Sequence, residues 1–355
     1  MGSITQTISQ ERDVRLQWIR SIGAILVVCL HSASELMYRQ AYGSLEWWFD
    51  NIVNGLSRCA VPLFVMASGA IFLGRQEDFQ CFYQKRLKRI AIPLVFWTIV
   101  YILFAVLINN VSITNLAYFK NLAKALYNGK PYYHLWYLYM LIGLYLAVPF
   151  LQRLWGAIND KQKLLFVLFC FLLSAVSPFE SAFLPVDSGN PAFLLYRFLP
   201  YVGYFVCGRF IIEQADKKKE SGNIIIVISL IVLAAITIIG SYITGSNKEP
   251  GKYFFHYLSF NVILFTVLLF NLMIRLIRSD RKPPRVIGLI DKTGLAIYLV
   301  HPMLLVYAGY VYDYLKPQGG LFCLFIVLKI LSVLAVSMII GWVMMKLPIL
   351  KKTVS

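Results

Sequence analysis

Two ionisable residues, Arg20 and His31, stand eleven positions apart in the first apolar run of the chain. Because a helix turns about 100° per residue, eleven residues return to within roughly 20° of the same face, about 16 Å further along the axis. An imidazole exchanges protons near neutral pH, and a guanidinium binds phosphate or carboxylate oxygens. The spacing predicts a proton-transfer group and an anion-binding group on one helix face. The structural alternative is that Arg20 extends to the membrane surface and His31 hydrogen-bonds within a helix bundle.

The other three histidines differ in their sequence neighbours. Tyr298 and His301 are three residues apart, so a helix would place them on one face. His134 lies in an aromatic stretch, 132–136, that is typical of a membrane–water interface, where the histidine either has a function or faces water. His256 has no polar companion, and we interpret it as structural.

Arginines also occur next to or within apolar runs. A charged group inside a membrane span costs at least about 2.5–3.5 kcal/mol on insertion scales, so each one is a candidate functional residue. Arg58 falls inside the second predicted span, unless that helix begins late and Arg58 is its outer end. Ser68 and Gly69 further along are small enough to permit close approach of another helix or of a ligand. Arg86 and Arg89 belong to a basic cluster that either sets the topology or holds phosphates.

The composition requires a surface that faces lipid. Of the 355 residues, 59% are hydrophobic and 14% charged, and the mean hydropathy is +0.68. A soluble domain would need more polar surface than this composition supplies. The net charge of +17 would suit nucleic acid, but the basic residues form short clusters between apolar runs, so we expect no nucleic-acid partner. Six irregularly spaced cysteines predict neither a disulfide framework nor a metal site.

The apolar runs predict an all-α, polytopic bundle of about ten transmembrane helices in a single domain, 1–355, with short cytoplasmic ends at 1–15 and 346–355. A helix needs about twenty apolar residues to cross the hydrocarbon core. Lys and Arg number 22 on one side of this layout and 7 on the other, which predicts that both termini are cytoplasmic. Leu45 is the alternative start of the second span, because the aromatic residues 47–49 resemble an interfacial belt that leads into it. The predicted spans are 16–37, 52–73, 90–109, 133–152, 164–178, 194–211, 223–243, 255–274, 291–312 and 320–345.

Taken in order, these residues resemble the membrane-bound acyltransferase-3 family. Arg20 and His31 are similar to its Arg-x10-His signature, and the stretch Val-Pro-Leu-Phe-x-Met-x-Ser-Gly, which ends at Gly69, is similar to its second-helix motif. Each motif alone is weak, but six in order along nearly the whole chain are specific. The other four are Arg86 and Arg89 before Ile-Pro, His134-Leu-Trp136, Tyr201-x-Gly-Tyr204 with Gly208, and Gly294-x-x-Ile-Tyr298-x-x-His301-Pro302.

The resemblance implies an integral membrane enzyme that moves an acyl group, usually acetyl, from cytoplasmic acyl-CoA to a hydroxyl. The implied acceptor is a surface polysaccharide, a lipopolysaccharide or a lipid-linked sugar precursor, and the implied location is the bacterial cytoplasmic membrane. No metal is expected, and homo-oligomerisation is left open. Because the chain ends at Ser355, we expect no fused extracytoplasmic esterase domain.

The resemblance also implies roles for particular residues. His31 is the predicted base for the acceptor hydroxyl, with Tyr298 and His301 as helpers. Glu35, one turn beyond His31, either orients the imidazole or lies at the outer interface. The predicted acetyl-CoA-binding residues are Arg20, Arg58, Ser68, Gly69, Arg86 and Arg89, and the predicted acceptor-binding residues are Tyr133, His134 and Trp136.

A secondary transporter or a flippase for a lipid-linked sugar is the main alternative. Buried arginine and histidine would suit a proton-coupled carrier. Such carriers are commonly built of discontinuous helices in two related halves, and the sequence shows no internal repeat. A non-catalytic membrane scaffold would leave the charges inside the spans unexplained.

Overall fold

The protein is a bundle of helices. The computed structural model describes residues 13–75, 77–108, 116–183, 198–215, 222–245 and 251–354, and within these ranges every regular element is helical, as the sequence predicts. The α-helices are α1 Val14–Met37, α2 Leu45–Ser57, α3 Ala60–Phe72, α4 Phe79–Ile108, α5 Leu116–Tyr127, α6 Trp136–Ala157, α7 Asp160–Phe183, α8 Val202–Ala215, α9 Asn223–Ile243, α10 Phe260–Leu276, α11 Arg285–Leu315, α12 Gly320–Lys346 and α13 Pro348–Lys351, and a 3-10 turn, Leu199–Tyr201, precedes α8.

Seven helical segments in the described ranges are long and apolar enough to cross a membrane: α1, α2 with α3, α4, α6, α9, α11 and α12. The helix α10 is apolar but shorter. Together they overlap eight of the predicted spans. The fifth predicted span, 164–178, lies in α7, and the sixth, 194–211, begins in residues outside the described ranges. A multi-pass membrane protein is therefore supported, while the total of ten spans and their orientation remain predictions.

Helix α1 packs alongside α11, and both helices run in the same direction. The side chain of Asp13 accepts a hydrogen bond from the backbone N–H of Arg15 at 2.9 Å, which caps the start of α1. Small and branched residues one turn apart, Ala24 and Val28, bury against Ile290 and Ile297 of α11. This i, i+4 spacing makes one continuous face, so polar residues on that face of α1 are brought against α11.

A break between α2 and α3 falls at Arg58. The apolar segment is continuous from Leu45 to Phe72, but two turn residues interrupt the helix at 58–59. Pro62 has no N–H to donate to the carbonyl of Arg58 four residues earlier, and proline is tolerated in the first turn of a new helix. Arg58 is therefore not a charge within a regular span. It lies at a helix junction.

The helix α4 extends beyond the third predicted span. The sequence predicts a span that starts at residue 90, whereas the helix begins at Phe79, so the basic cluster that contains Arg86 and Arg89 lies on the helix itself. Further along, Val95, Ile99 and Leu103 are exposed at intervals of four residues and form an apolar, lipid-facing stripe.

Helices α3 and α8 are in backbone contact. A Cβ atom on Gly69 would lie 1.7 Å from the carbonyl oxygen of Phe205, and one on Gly208 would lie 2.0 Å from that of Met66. Small residues allow this approach, as is common between helices in membranes. Gly69 therefore has a packing role, whatever else it does.

Substitution of Gly208 tests this contact. We expect Gly208→Ala to destabilise the protein by about 1–3 kcal/mol, since the added methyl meets a carbonyl that a side-chain rotation cannot clear. Gly156→Ala is the matched control, because nothing lies within 4 Å of its Cβ position. Thermal unfolding in detergent should show a lower midpoint for Gly208→Ala and no decrease for Gly156→Ala. Equal midpoints would contradict the close packing.

Candidate active site

A cavity of about 340 Å³ opens between α1, α3, α4, α6 and α11. We call it the arginine cavity, because three arginines line it. One carboxylate, that of Asp291, lies among its lining residues, so the lining carries a positive balance. Its basic and hydroxyl residues are Arg20, Arg86, Arg89, Ser68, Tyr137, Tyr145 and Tyr298.

Arg20 is held in this cavity by Asp291 on α11. The Nε of Arg20 donates to Oδ1 of Asp291 at 2.7 Å, and one terminal nitrogen donates to Oδ2 at 3.0 Å. This is the two-pronged geometry that suits guanidinium and carboxylate planes. It fixes the orientation of Arg20 and reduces its net charge, so the remaining positive charge of the cavity comes from α4.

Helix α4 supplies Arg86 and Arg89, one turn apart. Arg86 donates to Glu77 at 3.2 Å, and Glu77 also lies 3.5 Å from Arg75. Arg89 is largely exposed at the cavity and has no ion pair with a described residue. Arginine side chains at the mouth of a cavity suit the oxygens of a phosphate-bearing ligand.

A second cavity, of about 310 Å³, lies toward the opposite end of α1. We call it the Glu35 cavity. His31 and Glu35 line it from α1, Tyr133 from the chain before α6, and Pro302 from α11. On α11 the residue Tyr298 lines the arginine cavity and Pro302 lines this one, so about one helical turn, or about 6 Å along the axis, separates the two linings.

Three histidines form the wall between the cavities. The rings of His31 and His301 stack with centroids 5.2 Å apart and planes 28° apart, and the ring of His134 lies 5.8 Å from that of His301. The ring of Tyr133 lies 5.0 Å from His31, and that of Tyr298 lies 5.3 Å from His134. Three separated stretches of sequence therefore meet at one point in the bundle.

Hydrogen bonds define how two of these rings are oriented. Nδ1 of His301 lies 3.0 Å from the carbonyl of Ile297, so in the neutral ring Nδ1 carries the proton and Nε2 carries a lone pair. That Nε2 is buried and has no hydrogen-bond partner among the described residues. The hydroxyl of Tyr298 donates to the backbone carbonyl of His134, which holds the start of α6 against α11. Tyr298 is thus placed to position His134.

The histidine cluster is not arranged as a metal site. No group of three or more His, Cys, Asp or Glu side chains within the described ranges is placed to hold a metal ion. The near-parallel rings of His31 and His301 are in stacking contact, whereas metal ligands point their nitrogens at a common centre. The arrangement suits proton transfer at His31, which borders the Glu35 cavity.

Three of the predicted binding residues lie away from the arginine cavity. Arg58 packs its guanidinium over Phe255, 4.6 Å from the ring centroid, and Gly69 packs against α8. Trp136 stacks beside Tyr201 and Tyr257. Arg58 lies at the break between α2 and α3, and its guanidinium contacts the loop before α10, which contains Phe255. Their predicted roles in ligand binding remain untested.

The fourth histidine lies outside the cluster. His256 belongs to the loop before α10, which begins at Phe260, five residues later than the span that the sequence predicts. Its Nδ1 accepts a hydrogen bond from the backbone N–H of Leu258 at 3.2 Å. This local contact is consistent with the structural role that the sequence predicts.

Sequence reasoning missed two carboxylate contacts at this site. Asp291 pairs with Arg20, whereas in the sequence it marks only the start of the ninth predicted span. Glu35 pairs with Lys329 on α12, at 2.8 Å. The spacing held a signal for the first contact: Arg20 and His31 are eleven apart, while Asp291 and His301 are ten apart, as expected for parallel neighbours. No local pattern pointed to Lys329.

Comparison with known proteins identifies the family. A family model described as an acyltransferase domain, Acyl_transf_3, matches residues 13–343. The chain belongs to the acyltransferase-3 family. The match includes both cavities and the histidine cluster, and it supports a membrane acyltransferase. No curated protein and no solved structure matches the chain.

The Tyr298 hydrogen bond provides a test of the wall between the cavities. Tyr298→Phe keeps the ring and removes the hydroxyl that holds His134, so we expect acyl transfer to fall by up to about tenfold, the equivalent of one hydrogen bond of ~0.5–1.5 kcal/mol. Tyr83→Phe is the control, because the hydroxyl of Tyr83 donates to the carbonyl of Leu146 at 2.8 Å, outside both cavities. Turnover of each purified variant should separate the two. Equal rates would show that Tyr298 does not position the site.

Proposed function

We propose that this protein transfers an acetyl group from cytoplasmic acetyl-CoA to a hydroxyl of a surface polysaccharide, a lipopolysaccharide or a lipid-linked sugar precursor. One observation carries the proposal: a basic cavity and a second cavity approach His31 and its neighbours from opposite ends of α1. Transfer between two substrates that never share a compartment requires such an arrangement. A bacterial cytoplasmic membrane would present acetyl-CoA and glycans on opposite faces.

The arginine cavity is the proposed donor site. The phosphates of CoA carry several negative charges, and Arg86 and Arg89 offer guanidinium groups at the cavity mouth. Arg20 is already paired with Asp291 through two hydrogen bonds, so it suits the polar arm of the donor better than a phosphate. The inner end of the cavity is formed by Tyr298, beside the histidines, which is where the thioester would have to lie.

The proposed reaction needs a base and a returned proton. The imidazole of His31 accepts the proton of the acceptor hydroxyl. At the same time the hydroxyl oxygen attacks the thioester carbonyl carbon, and the new C–O bond forms. As the tetrahedral intermediate collapses, the C–S bond breaks and the thiolate receives the same proton. The products are the acetyl ester and free CoA thiol, with no net proton released. His301, stacked on His31, supports the ring in this orientation.

Two variants separate donor binding from chemistry. We expect His31→Ala to abolish transfer of radiolabelled acetyl groups to a membrane glycan extract while leaving acetyl-CoA affinity within about twofold. We expect the double variant Arg86→Gln, Arg89→Gln to weaken acetyl-CoA affinity by roughly 100-fold, since each charge-assisted contact contributes about 1.5 kcal/mol or more. Calorimetry of the purified proteins measures the affinities.

His256→Asn is the matched control for His31→Ala, because it removes a histidine outside the cluster. It should transfer acetyl groups at the wild-type rate. Wild-type transfer by His31→Ala would refute the base assignment, and unchanged affinity in the double arginine variant would refute the donor site. Mass spectrometry of surface glycans from cells with and without the protein should show the loss of an acetyl mass. Intact glycans together with altered solute uptake would favour a transporter instead.

A further inference from the structure

Lys329 is a buried charge on α12 that the proposed reaction does not use. Its side chain is 0% exposed, and its ammonium donates to Oε2 of Glu35 at 2.8 Å and to the carbonyl of Ser32 at 3.4 Å. An ammonium group in a membrane span is costly unless it is paired. The ion pair therefore joins α12 to α1 near the histidine cluster, and it holds Glu35 in a defined position.

The second oxygen of Glu35 has no close partner in the described structure. Oε1 lies 4.0 Å from Arg39, and Oε2 carries the bond to Lys329. Gly309 of α11 makes room for Oε1, because a Cβ atom there would lie only 2.8 Å from it. Glu35 is partly exposed and lines the same cavity as His31 and Tyr133. One carboxylate oxygen is thus anchored, while the other is left for a ligand.

The exposure of Glu35 is not what a purely structural carboxylate needs. Asp50 on α2, by comparison, is 0% exposed, and neither of its oxygens has a hydrogen-bond partner among the described residues. The side chain of Glu35 is 28% exposed and borders a cavity one turn from His31. A carboxylate that only neutralised Lys329 would not have to reach this cavity.

No hydrogen bond joins Glu35 to His31 in the described structure, although the two residues are four apart on α1. The orienting role that the sequence left open therefore has no support in the contacts. The carboxylate and the imidazole instead line one cavity side by side, with Tyr133 packed against the His31 ring. This combination of carboxylate and aromatic ring is well suited to a sugar, whose hydroxyls donate hydrogen bonds and whose C–H face packs on a ring.

We propose that Glu35 binds the acceptor and that Lys329 is the residue that positions it. Oε1 of Glu35 accepts a hydrogen bond from a hydroxyl of a polyhydroxylated acceptor, next to the hydroxyl that His31 deprotonates. Lys329 holds Oε2 from behind, so that the carboxylate is fixed in position. The inference rests on the proposed acyl transfer, and it assigns the Glu35 cavity to the acceptor.

The test uses the full-length purified protein, radiolabelled acetyl-CoA and a total glycolipid and polysaccharide extract from cells that lack the protein. We expect Glu35→Gln to raise the half-saturating extract concentration at least tenfold, with acetyl-CoA affinity unchanged. Lys329→Met should shift it in the same direction. The double variant Glu35→Gln, Lys329→Met removes both charges, which is often tolerated when a buried pair is replaced as a unit, so it keeps the test valid if a single variant misfolds.

Glu46→Gln is the matched control. Glu46 is a carboxylate at the same end of the bundle and outside the cavity lining, and it accepts a hydrogen bond from the backbone N–H of Gly319 at 2.7 Å. It should saturate with the extract as the wild type does. If the folded double variant also saturates as the wild type does, Glu35 has only a structural role and the inference is wrong. If the wild type transfers acetyl groups and Glu35→Gln has the same half-saturating extract concentration, this inference alone is wrong. No transfer by the wild type overturns the proposed function as well.

Discussion

The parallel packing of α1 on α11 is the constraint on which the rest of the site depends. At one end the ion pair between Arg20 and Asp291 joins the two helices, and eleven residues further along α1 the ring of His31 stacks on that of His301. Apolar residues such as Ala24 and Ile297 fill the interval. Because the two contacts are separated by about three turns of α1, they fix both the register and the rotation of the helices. The two cavities open on either side of this contact.

The charges of the bundle are divided between its two ends. Arginines on α1 and α4 give the arginine cavity its positive balance, whereas the Glu35 cavity carries a carboxylate held by a buried lysine. Between them lie aromatic and imidazole rings. A polyanionic donor and a hydroxylated acceptor would each be favoured at one end. In the proposed reaction, the histidine cluster between the two sites supplies the proton acceptor.

The sequence was most informative where a chemical group repeats with helical spacing. It predicted that Arg20 and His31 share a face, that Tyr298 and His301 lie together, and that His256 stands apart, and the structure is consistent with each. It could not predict that His134 meets the other two histidines, because that contact depends on how α6 packs against α11. It could not decide whether Arg58 lies inside the second span or at the end of a helix, and the structure places it between α2 and α3. Lys329 and Asp291 appeared as isolated charges, because their partners are more than 250 residues away along the chain.

Sealed membrane vesicles test the proposed transfer across the bundle most directly. Acetyl-CoA does not cross a membrane, so inverted vesicles expose only the proposed donor face, and right-side-out vesicles expose only the proposed acceptor face. Radiolabelled acetyl-CoA added outside inverted vesicles should label glycan that an external esterase cannot reach until the vesicles are opened. Right-side-out vesicles should remain unlabelled. Two results would contradict a reaction that joins the two faces through the histidine cluster. One is that external esterase removes the label from intact inverted vesicles. The other is that both vesicle preparations are labelled equally.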